Sequence, residues 1–264
     1  MIRKAATAVL LWICVVPSAS AQPAPLVGLP APQALTAEPR VSYPDGVIGL
    51  QAVPFKLVAG YRAITLDLYG HTDTGKKKPL VLWIHGGGWK QGGTRENPGY
   101  PEWTHVLAHL AARGFVVAAV DYRLSGEARF PAALDDITDA LNWLRTNAAL
   151  YGIDADNITL WGASSGAHLA ALAGTSCAAR GAPCPRTVVD WFGPTSFSIA
   201  LEKPAPGTKP TPPSLITGIE EFLGCKLARC GAATMRAVDP IASLTAKAPS
   251  FRIMHGDEIG RAHV

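Results

Sequence analysis

The chain of 264 residues has few charged side chains, 17% of the total, whereas 48% of its residues are hydrophobic. This composition excludes an intrinsically disordered chain, which would carry more charge and fewer apolar residues. The 26 glycines show no three-residue period, which excludes a collagen-like chain. The length suits one large domain or two small ones, with enough residues to bury a sizeable core.

The sequence also lacks a long basic stretch. Its formal net charge is +4, and its only basic run is Lys76–Lys78, which is typical of a solvated turn. We therefore expect no nucleic-acid partner.

An apolar run near the start is too short for a membrane span, which needs about 20 residues. The run extends from Ala5 to Val16, follows Arg3 and Lys4, and precedes the sequence Ala19-x-Ala21. This order is typical of a secretory signal peptide, which we predict over residues 1–21. A retained N-terminal anchor is the alternative. The prediction implies a secreted or periplasmic protein without stable membrane association.

Cysteine is scarce, and four of the five cysteines follow the predicted signal peptide. An even number in an exported chain suggests disulfides. Of the three possible pairings we favour Cys177–Cys184 with Cys225–Cys230, because each closes a short loop that contains Gly or Pro. A metal site is the alternative, but neither pair has the two-residue spacing of common zinc sites. We expect no metal and no cofactor.

Short apolar runs alternate with helical patterns through most of the chain. Five continuous runs of strand length occur, at 80–84, 115–120, 158–161, 188–191 and 251–254. Such runs are typical of strands buried on both faces in a parallel sheet. The segment Ile64–Tyr69 instead alternates with period two, which predicts a half-exposed strand.

Helical patterns lie between these strands. The pattern over 102–113 places four residues on one face: Trp103, Val106, Leu107 and Leu110. The pattern over 132–147 forms a stripe of Leu134, Ile137, Leu141 and Leu144. Another helix begins near Ser165. The alternation predicts an α/β domain, with helices on both faces of a mostly parallel central sheet.

Two proline-rich stretches interrupt the alternation. Residues 22–56 are expected to wrap a surface or stay mobile rather than form a helix. Residues 203–213 contain five prolines and follow a strand. Ligands in this architecture bind beyond the carboxyl ends of the strands. The second stretch is therefore predicted either to cover the site as a partial lid or to be an uninvolved surface loop.

The sequence Gly162-Ala163-Ser164-Ser165-Gly166 lies between a predicted buried strand and a helix of small residues. This is the context of a nucleophile elbow, where a tight turn exposes the central serine. The two glycines remove side chains that would clash in the turn. We predict Ser164 as a nucleophile, the alternative being a tight turn with a passive serine.

A glycine loop, His85-Gly86-Gly87-Gly88-Trp89, follows another predicted strand. Attack on an ester carbonyl creates an oxyanion, which needs preorganised N–H donors. Glycines let the backbone approach a substrate and turn its amides inward, and the amide of Ser165 can add a donor. A phosphate-binding loop is the alternative, but the spacing differs from phosphate-binding motifs. His85 is expected to brace the loop.

These segments resemble the esterase/lipase branch of the α/β-hydrolase fold, in particular acetyl esterases related to bifunctional feruloyl and acetylxylan esterases (BD-FAE-like). The resemblance spans about residues 57–257. The segments that match are 81–89, Asp121-Tyr122-Arg123-Leu124, 130–133, the elbow together with 168–170, 191–195, and 253–257. The resemblance implies a metal-free serine esterase for short acyl or hydroxycinnamoyl esters of small molecules or plant polysaccharides. It implies Ser164 as nucleophile, an oxyanion hole of Gly87, Gly88 and Ser165, and supporting roles for Asp121 and Arg123.

The other two members of a serine triad do not match. The resembled pattern puts the acid at position 259, which is Ile259 here, and the base after one more strand. His263 is too close to Asp257 to be that base. The last residues, 259–264, can be encoded by a common sequencing-library adapter. We therefore expect 258–264 to be foreign, and the natural protein to continue with a last strand and helix absent from this sequence.

Two classes of function remain open from the sequence. The first is a secreted serine esterase, with a peptidase or an arylformamidase as enzymatic alternatives. The second is a catalytically silent fragment or binding module of the same fold, because loss of a triad member can cost about a millionfold in turnover.

Overall fold

A computed structural model describes residues 31–34, 36, 40–73, 75–202 and 210–256. The predicted signal peptide, most of the predicted lid and the predicted foreign tail lie outside these ranges. Within them, no helix is both long enough and apolar enough to cross a membrane.

The described residues form an eight-stranded sheet with the order β1-β2-β3-β5-β4-β6-β7-β8. The first four strands are β1 (Val41–Ser42), β2 (Ile48–Leu57), β3 (Ala63–Gly70) and β4 (Lys78–Ile84). The last four are β5 (Val116–Val120), β6 (Ile153–Ala163), β7 (Thr187–Trp191) and β8 (Ser250–Met254). The strands β5, β4, β6, β7 and β8 are parallel, and β1 to β3 are antiparallel.

Six α-helices accompany the sheet: α1 (Trp103–Ala112), α2 (Ala132–Thr146), α3 (Ala148–Tyr151), α4 (Ser165–Ser176), α5 (Pro213–Leu223) and α6 (Ala232–Val238). Two apolar clusters form the core, one on each face of the sheet. One contains α2, α4 and α5, and the other contains α1. The predicted α/β-hydrolase architecture is confirmed.

Several local predictions are confirmed. The stripe of α2 is buried as expected, and the cysteines pair as Cys177–Cys184 and Cys225–Cys230. The paired cysteines are seven and five positions apart in the sequence, with Cα–Cα distances of 5.2 and 5.5 Å. Helices α5 and α6 have no counterpart in the sequence prediction, which gave no helix between the proline-rich stretch 203–213 and the strand at 251–254.

Three predictions about exposure are wrong. Strand β3 is mostly buried rather than half-exposed, because it lies between β2 and β5 and α1 packs on it. Strand β8 is mostly exposed rather than buried on both faces, because it is the last strand of the described sheet. In α1 the buried face contains Ala108 and Ala111, and Val106 points outward with 38% exposure.

The sheet also begins earlier than the sequence predicted. Strand β2 lies in the proline-rich stretch 22–56, except for its last residue, Leu57, and pairs with β3. Pro54 is accommodated beside an irregularity of the β2–β3 register, between Pro54 and Lys56. A bulge of this kind is where a strand tolerates proline.

Candidate active site

Ser164 stands at the turn between β6 and α4, in a backbone conformation that few non-glycine residues adopt. Its φ is 54° and its ψ is −123°. Such a conformation costs of the order of 1–3 kcal/mol and persists only where the surroundings impose it. The Ser164 amide donates to the Trp191 carbonyl at 2.8 Å, and the Ser164 carbonyl accepts from the His168 amide at 3.1 Å. These bonds fix the turn from both sides.

The two outer glycines of the elbow are sterically required. A Cβ on Gly162 would lie 2.3 Å from the Gly166 carbonyl oxygen. A Cβ on Gly166 would lie 2.1 Å from the Ile84 carbonyl oxygen. Contacts of this length cannot be relieved without moving backbone, so the elbow packs directly against the end of β4.

The glycine loop lies beside the nucleophile. A Cβ on Gly86 would be 3.4 Å from Ser164 Cβ. Ser164 is partly exposed, and its hydroxyl makes no capping hydrogen bond to α4. The Ser164 side chain is therefore partly accessible and not engaged in capping the helix.

The loop is folded so that only glycine fits at its bend. Gly87 has φ +121°, and a Cβ there would lie 2.0 Å from the Gln91 carbonyl oxygen. The Gly87 carbonyl accepts from the amides of Lys90 and Gln91, both at 3.2 Å. Among turn and loop hydrogen bonds in the described ranges, none uses the amides of Gly87, Gly88 or Ser165 as donors.

Ser165 is the first residue of α4, so its amide has no acceptor within the helix. The N-terminus of α4 also carries a partial positive charge, which favours an anion. The structure thus brings together near Ser164 the loop and the amide that the sequence predicts as an oxyanion hole.

His85 and its neighbours brace the loop. His85 is buried, its Nδ1 lies 2.8 Å from the Gly86 carbonyl oxygen, and its ring stacks on Tyr122 at 4.3 Å. The Tyr122 hydroxyl donates to the His85 carbonyl at 2.9 Å. Burial lowers the pKa of His85 and raises that of Tyr122. Both side chains are therefore neutral supports of the loop.

Trp89 anchors the other end of the loop in the core. It has φ 59°, is buried, and stacks on Phe222 of α5 at 5.0 Å. His168 packs edge-on against it at 5.4 Å, and its Nε2 lies 2.8 Å from the Val238 carbonyl oxygen. Sequence reasoning did not assign this anchoring role to Trp89. The sequence feature that could have indicated this role is the position of Trp89 directly after three glycines.

The two residues with implied supporting roles lie behind the loop. Asp121 accepts a hydrogen bond from Thr65 Oγ1 at 3.0 Å. Arg123 binds buried Asp136 through both carboxylate oxygens, at 2.8 Å each for its shortest contacts. Hydrogen bonds to Asp136 raise the pKa of Arg123, against the effect of burial.

Asp190, which the sequence did not single out, lies at the carboxyl end of β7. It is buried and accepts from the Gly193 amide at 2.7 Å. Burial raises its pKa, and the hydrogen bond from the Gly193 amide partly opposes this shift. His255 follows β8, with its Nδ1 2.8 Å from the Gly256 carbonyl oxygen. Position 259, where the triad acid is expected, lies outside the described residues.

Comparison with known proteins decides the family. The sequence model of the BD-FAE family matches residues 66–259, which include the glycine loop and the elbow. The chain belongs to the BD-FAE family. The resemblance inferred from the motifs is thereby confirmed.

Among curated relatives, esterase LipQ of Mycobacterium tuberculosis is 28% identical over 209 residues, covering 75% of this chain and 47% of LipQ. Carboxylesterase NlhH of the same organism is 33% identical over 126 residues, covering 47% of this chain and 37% of NlhH. The chain thus spans half or less of the length of these relatives.

Solved structures share the fold. A truncated form of a carbohydrate esterase from gut microbiota has a TM-score of 0.65 and 22% identity, covering 84% of this chain and 82% of that chain. An esterase of Pyrobaculum calidifontis has a TM-score of 0.60 and 25% identity, covering 78% of this chain and 65% of that chain.

Proposed function

We propose that the protein is a secreted serine esterase for short acyl or hydroxycinnamoyl esters, including those of plant polysaccharide. The observation that carries the proposal is the position of a strained, partly exposed serine beside a loop of glycine amides. Membership of the BD-FAE family and the esterase relatives support it.

In the proposed reaction Ser164 Oγ attacks the ester carbonyl carbon, and its proton passes to a general base. The alcohol leaves with a proton, and the acyl group stays on Ser164 as an ester. Water then attacks this acyl-enzyme, releasing a carboxylic acid and restoring the hydroxyl. Both steps pass through an oxyanion.

The amides of Gly87, Gly88 and Ser165 would donate to that oxyanion. Loss of one such donor costs about 10²–10³-fold in turnover. The anchoring of the loop by Trp89 and His85 keeps these amides in place before substrate arrives, so no reorganisation is needed during the reaction.

We further propose that the acid and the base of the triad lie outside the described residues. Two described histidines near the loop do not suit the role of base. His85 and His168 are buried, and each has a ring nitrogen 2.8 Å from a backbone carbonyl oxygen. Without a base, the oxyanion hole and binding alone leave about 10³–10⁴-fold catalysis over water.

Incubation with p-nitrophenyl acetate, followed by mass spectrometry of peptides, tests both proposals. We expect slow acetylation of Ser164 and low turnover by the 264-residue chain. The Ser164→Ala variant should not be acetylated at the elbow, whereas the matched Ser165→Ala variant should, because it keeps its backbone amide.

Acetylation that persists at the elbow in Ser164→Ala would contradict the proposed nucleophile, as would its absence from the unaltered chain. Rapid multiple turnover that Ser164→Ala abolishes would keep the nucleophile and contradict the proposed location of the acid and base.

A further inference from the structure

The glycine loop is held at both ends by one short segment, residues 121–125, which follows β5. The Tyr122 hydroxyl donates to the His85 carbonyl at 2.9 Å. The amide and the hydroxyl of Ser125 both donate to the Trp89 carbonyl, at 2.8 and 2.9 Å. The carbonyls of the first and the last residue of the loop are therefore fixed by the same segment, at the end of the strand that pairs with β4.

The hydrogen bond at the first end of the loop is buried. Tyr122 is buried, and its ring stacks on the His85 ring at a centroid distance of 4.3 Å. A Cβ added at Gly166 would lie 2.4 Å from the His85 carbonyl oxygen, so the backbone of α4 packs directly against this carbonyl. The Tyr122 hydroxyl therefore fixes a carbonyl at the junction between the loop and the nucleophile elbow.

The hydrogen bonds at the second end hold an unusual backbone conformation. Trp89 has φ 59°, a left-handed conformation that few non-glycine residues adopt. Such a conformation persists only where the surroundings impose it. The two bonds from Ser125 fix the peptide group that follows Trp89, while Phe222 stacks on the Trp89 ring. Ser125 thus helps to impose the turn that ends the run of three glycines.

The segment is itself anchored away from the loop. Arg123 binds buried Asp136 of α2 through its amide and its guanidinium, at 2.9 and 2.8 Å. The Leu124 amide donates to Glu127 at 2.7 Å, and Glu127 pairs with Arg62 at 2.9 Å. The segment therefore ties the loop to α2 and to the connection between β2 and β3.

We propose that Tyr122 and Ser125 are positioning residues of the oxyanion hole. By holding the carbonyls of His85 and Trp89, they set the orientation of the peptide groups between them and the direction in which the amides of the loop point. Successive glycines do not fix this orientation themselves, because glycine populates more backbone conformations than other residues. The proposal rests on the proposed esterase function, since the amides matter only where an oxyanion forms.

Single-turnover acetylation of Ser164 by p-nitrophenyl acetate, followed over a range of ester concentrations by mass spectrometry, tests the role in catalysis. Tyr122→Phe removes only the hydroxyl, and Ser125→Ala leaves the amide bond in place. We expect the maximal rate to fall about tenfold or more in Tyr122→Phe and about threefold in Ser125→Ala, because small displacements of preorganised groups are costly. The half-saturating ester concentration should stay within about twofold, because the oxyanion forms only after binding.

Tyr151→Phe and Ser176→Ala are the matched controls. Tyr151 lies in α3 and is as buried as Tyr122. The Ser176 hydroxyl, at the end of α4, donates to the Leu172 carbonyl at 2.6 Å. Both controls lose a hydroxyl away from the loop and should be acetylated at the rate of the unaltered chain.

Amide hydrogen exchange, measured by NMR without any ester, tests the positioning separately from the chemistry. The Lys90 and Gln91 amides donate to the Gly87 carbonyl within the loop and report its order. We expect both amides to exchange about fivefold faster in Tyr122→Phe, as for the loss of one hydrogen bond, and at an unchanged rate in the two controls.

Acetylation of Tyr122→Phe at the rate of the unaltered chain would overturn the proposal, as would unchanged exchange of both amides. A slower rate that comes entirely from a higher half-saturating ester concentration would overturn it too, since it would indicate a role in binding. Should Tyr122→Phe fail to fold, the threefold effect of Ser125→Ala decides. If the unaltered chain is not acetylated, the proposed nucleophile fails, and the exchange rates alone decide whether Tyr122 orders the loop.

Discussion

The centre of the sheet and its β8 edge are built very differently. At the centre all five residues of β5 are buried, and the elbow glycines leave no room for a Cβ against the end of β4. At the edge Ile253 and Met254 of β8 are 60% and 49% exposed. A cavity of about 530 Å³ lies beside Ile253, lined largely by apolar side chains including Ile241 and Leu244.

This difference between centre and edge coincides with the division of the proposed catalytic machinery into two halves. The half that holds Ser164 and the oxyanion donors is fixed by tight backbone packing at Gly162, Gly166 and Gly87. The half where the acid and base are expected begins at an edge whose apolar surface is exposed in the described part of the chain. The first half can therefore be preorganised even where the second contributes nothing.

The largest loss of stability is expected from adding a methyl group at the elbow, in the centre of the sheet. Gly166→Ala would place Cβ 2.1 Å from the Ile84 carbonyl oxygen. We expect a loss of at least about 3 kcal/mol in the free energy of unfolding, measured by denaturant titration, together with loss of Ser164 acetylation. Gly126→Ala is the matched control, since a Cβ there meets nothing within 4 Å. A Gly166→Ala variant as stable as this control would contradict the locked elbow.

Truncating one buried side chain at the centre of the sheet and one exposed side chain at its β8 edge compares the stability contributions of the two regions directly. Leu160→Ala, in β6 and fully buried, should cost about 2–5 kcal/mol. Ile253→Ala, in β8, should change the free energy of unfolding by only about 0.5 kcal/mol. Equal losses in the free energy of unfolding, measured by heat or denaturant, would show that β8 is covered in solution. That result would contradict the difference in burial between the centre and the edge.

The pH dependence of stability tests how well the centre excludes water. Burial lowers the pKa of His168 to about 4, although its bond to the Val238 carbonyl opposes the shift. The unfolded chain binds this proton near pH 6.5, so protonation favours unfolding below that pH. Stability from this group should be full above pH 6.5 and fall as the pH drops toward 4. A His168→Leu variant that keeps the same pH slope would contradict this assignment.

A substitution at the β8 edge is expected to have the smallest effect on stability but a measurable effect on solubility. Exposed apolar strand edges promote association, and lysine at such edges opposes it. Ile253→Lys should leave the free energy of unfolding within about 0.5 kcal/mol and reduce aggregation, measured by light scattering at increasing concentration. If aggregation does not change, the β8 edge does not drive association.

The sequence predicted the centre better than the periphery, for physical reasons. The elbow and the glycine loop are local patterns whose backbone geometry demands glycine, so they are readable from residues 85–89 and 162–166. The burial of β3 and the exposure of β8 depend on neighbours in the sheet, which no local pattern encodes.

The most direct test of the central claim is a crystal structure of the chain after prolonged reaction with an alkyl fluorophosphonate. We predict a phosphonyl group on Ser164 Oγ, with its phosphoryl oxygen within hydrogen-bonding distance of the amides of Gly87, Gly88 and Ser165. An adduct whose oxygen points away from these amides, or a buried Ser164 that forms no adduct, would contradict the account.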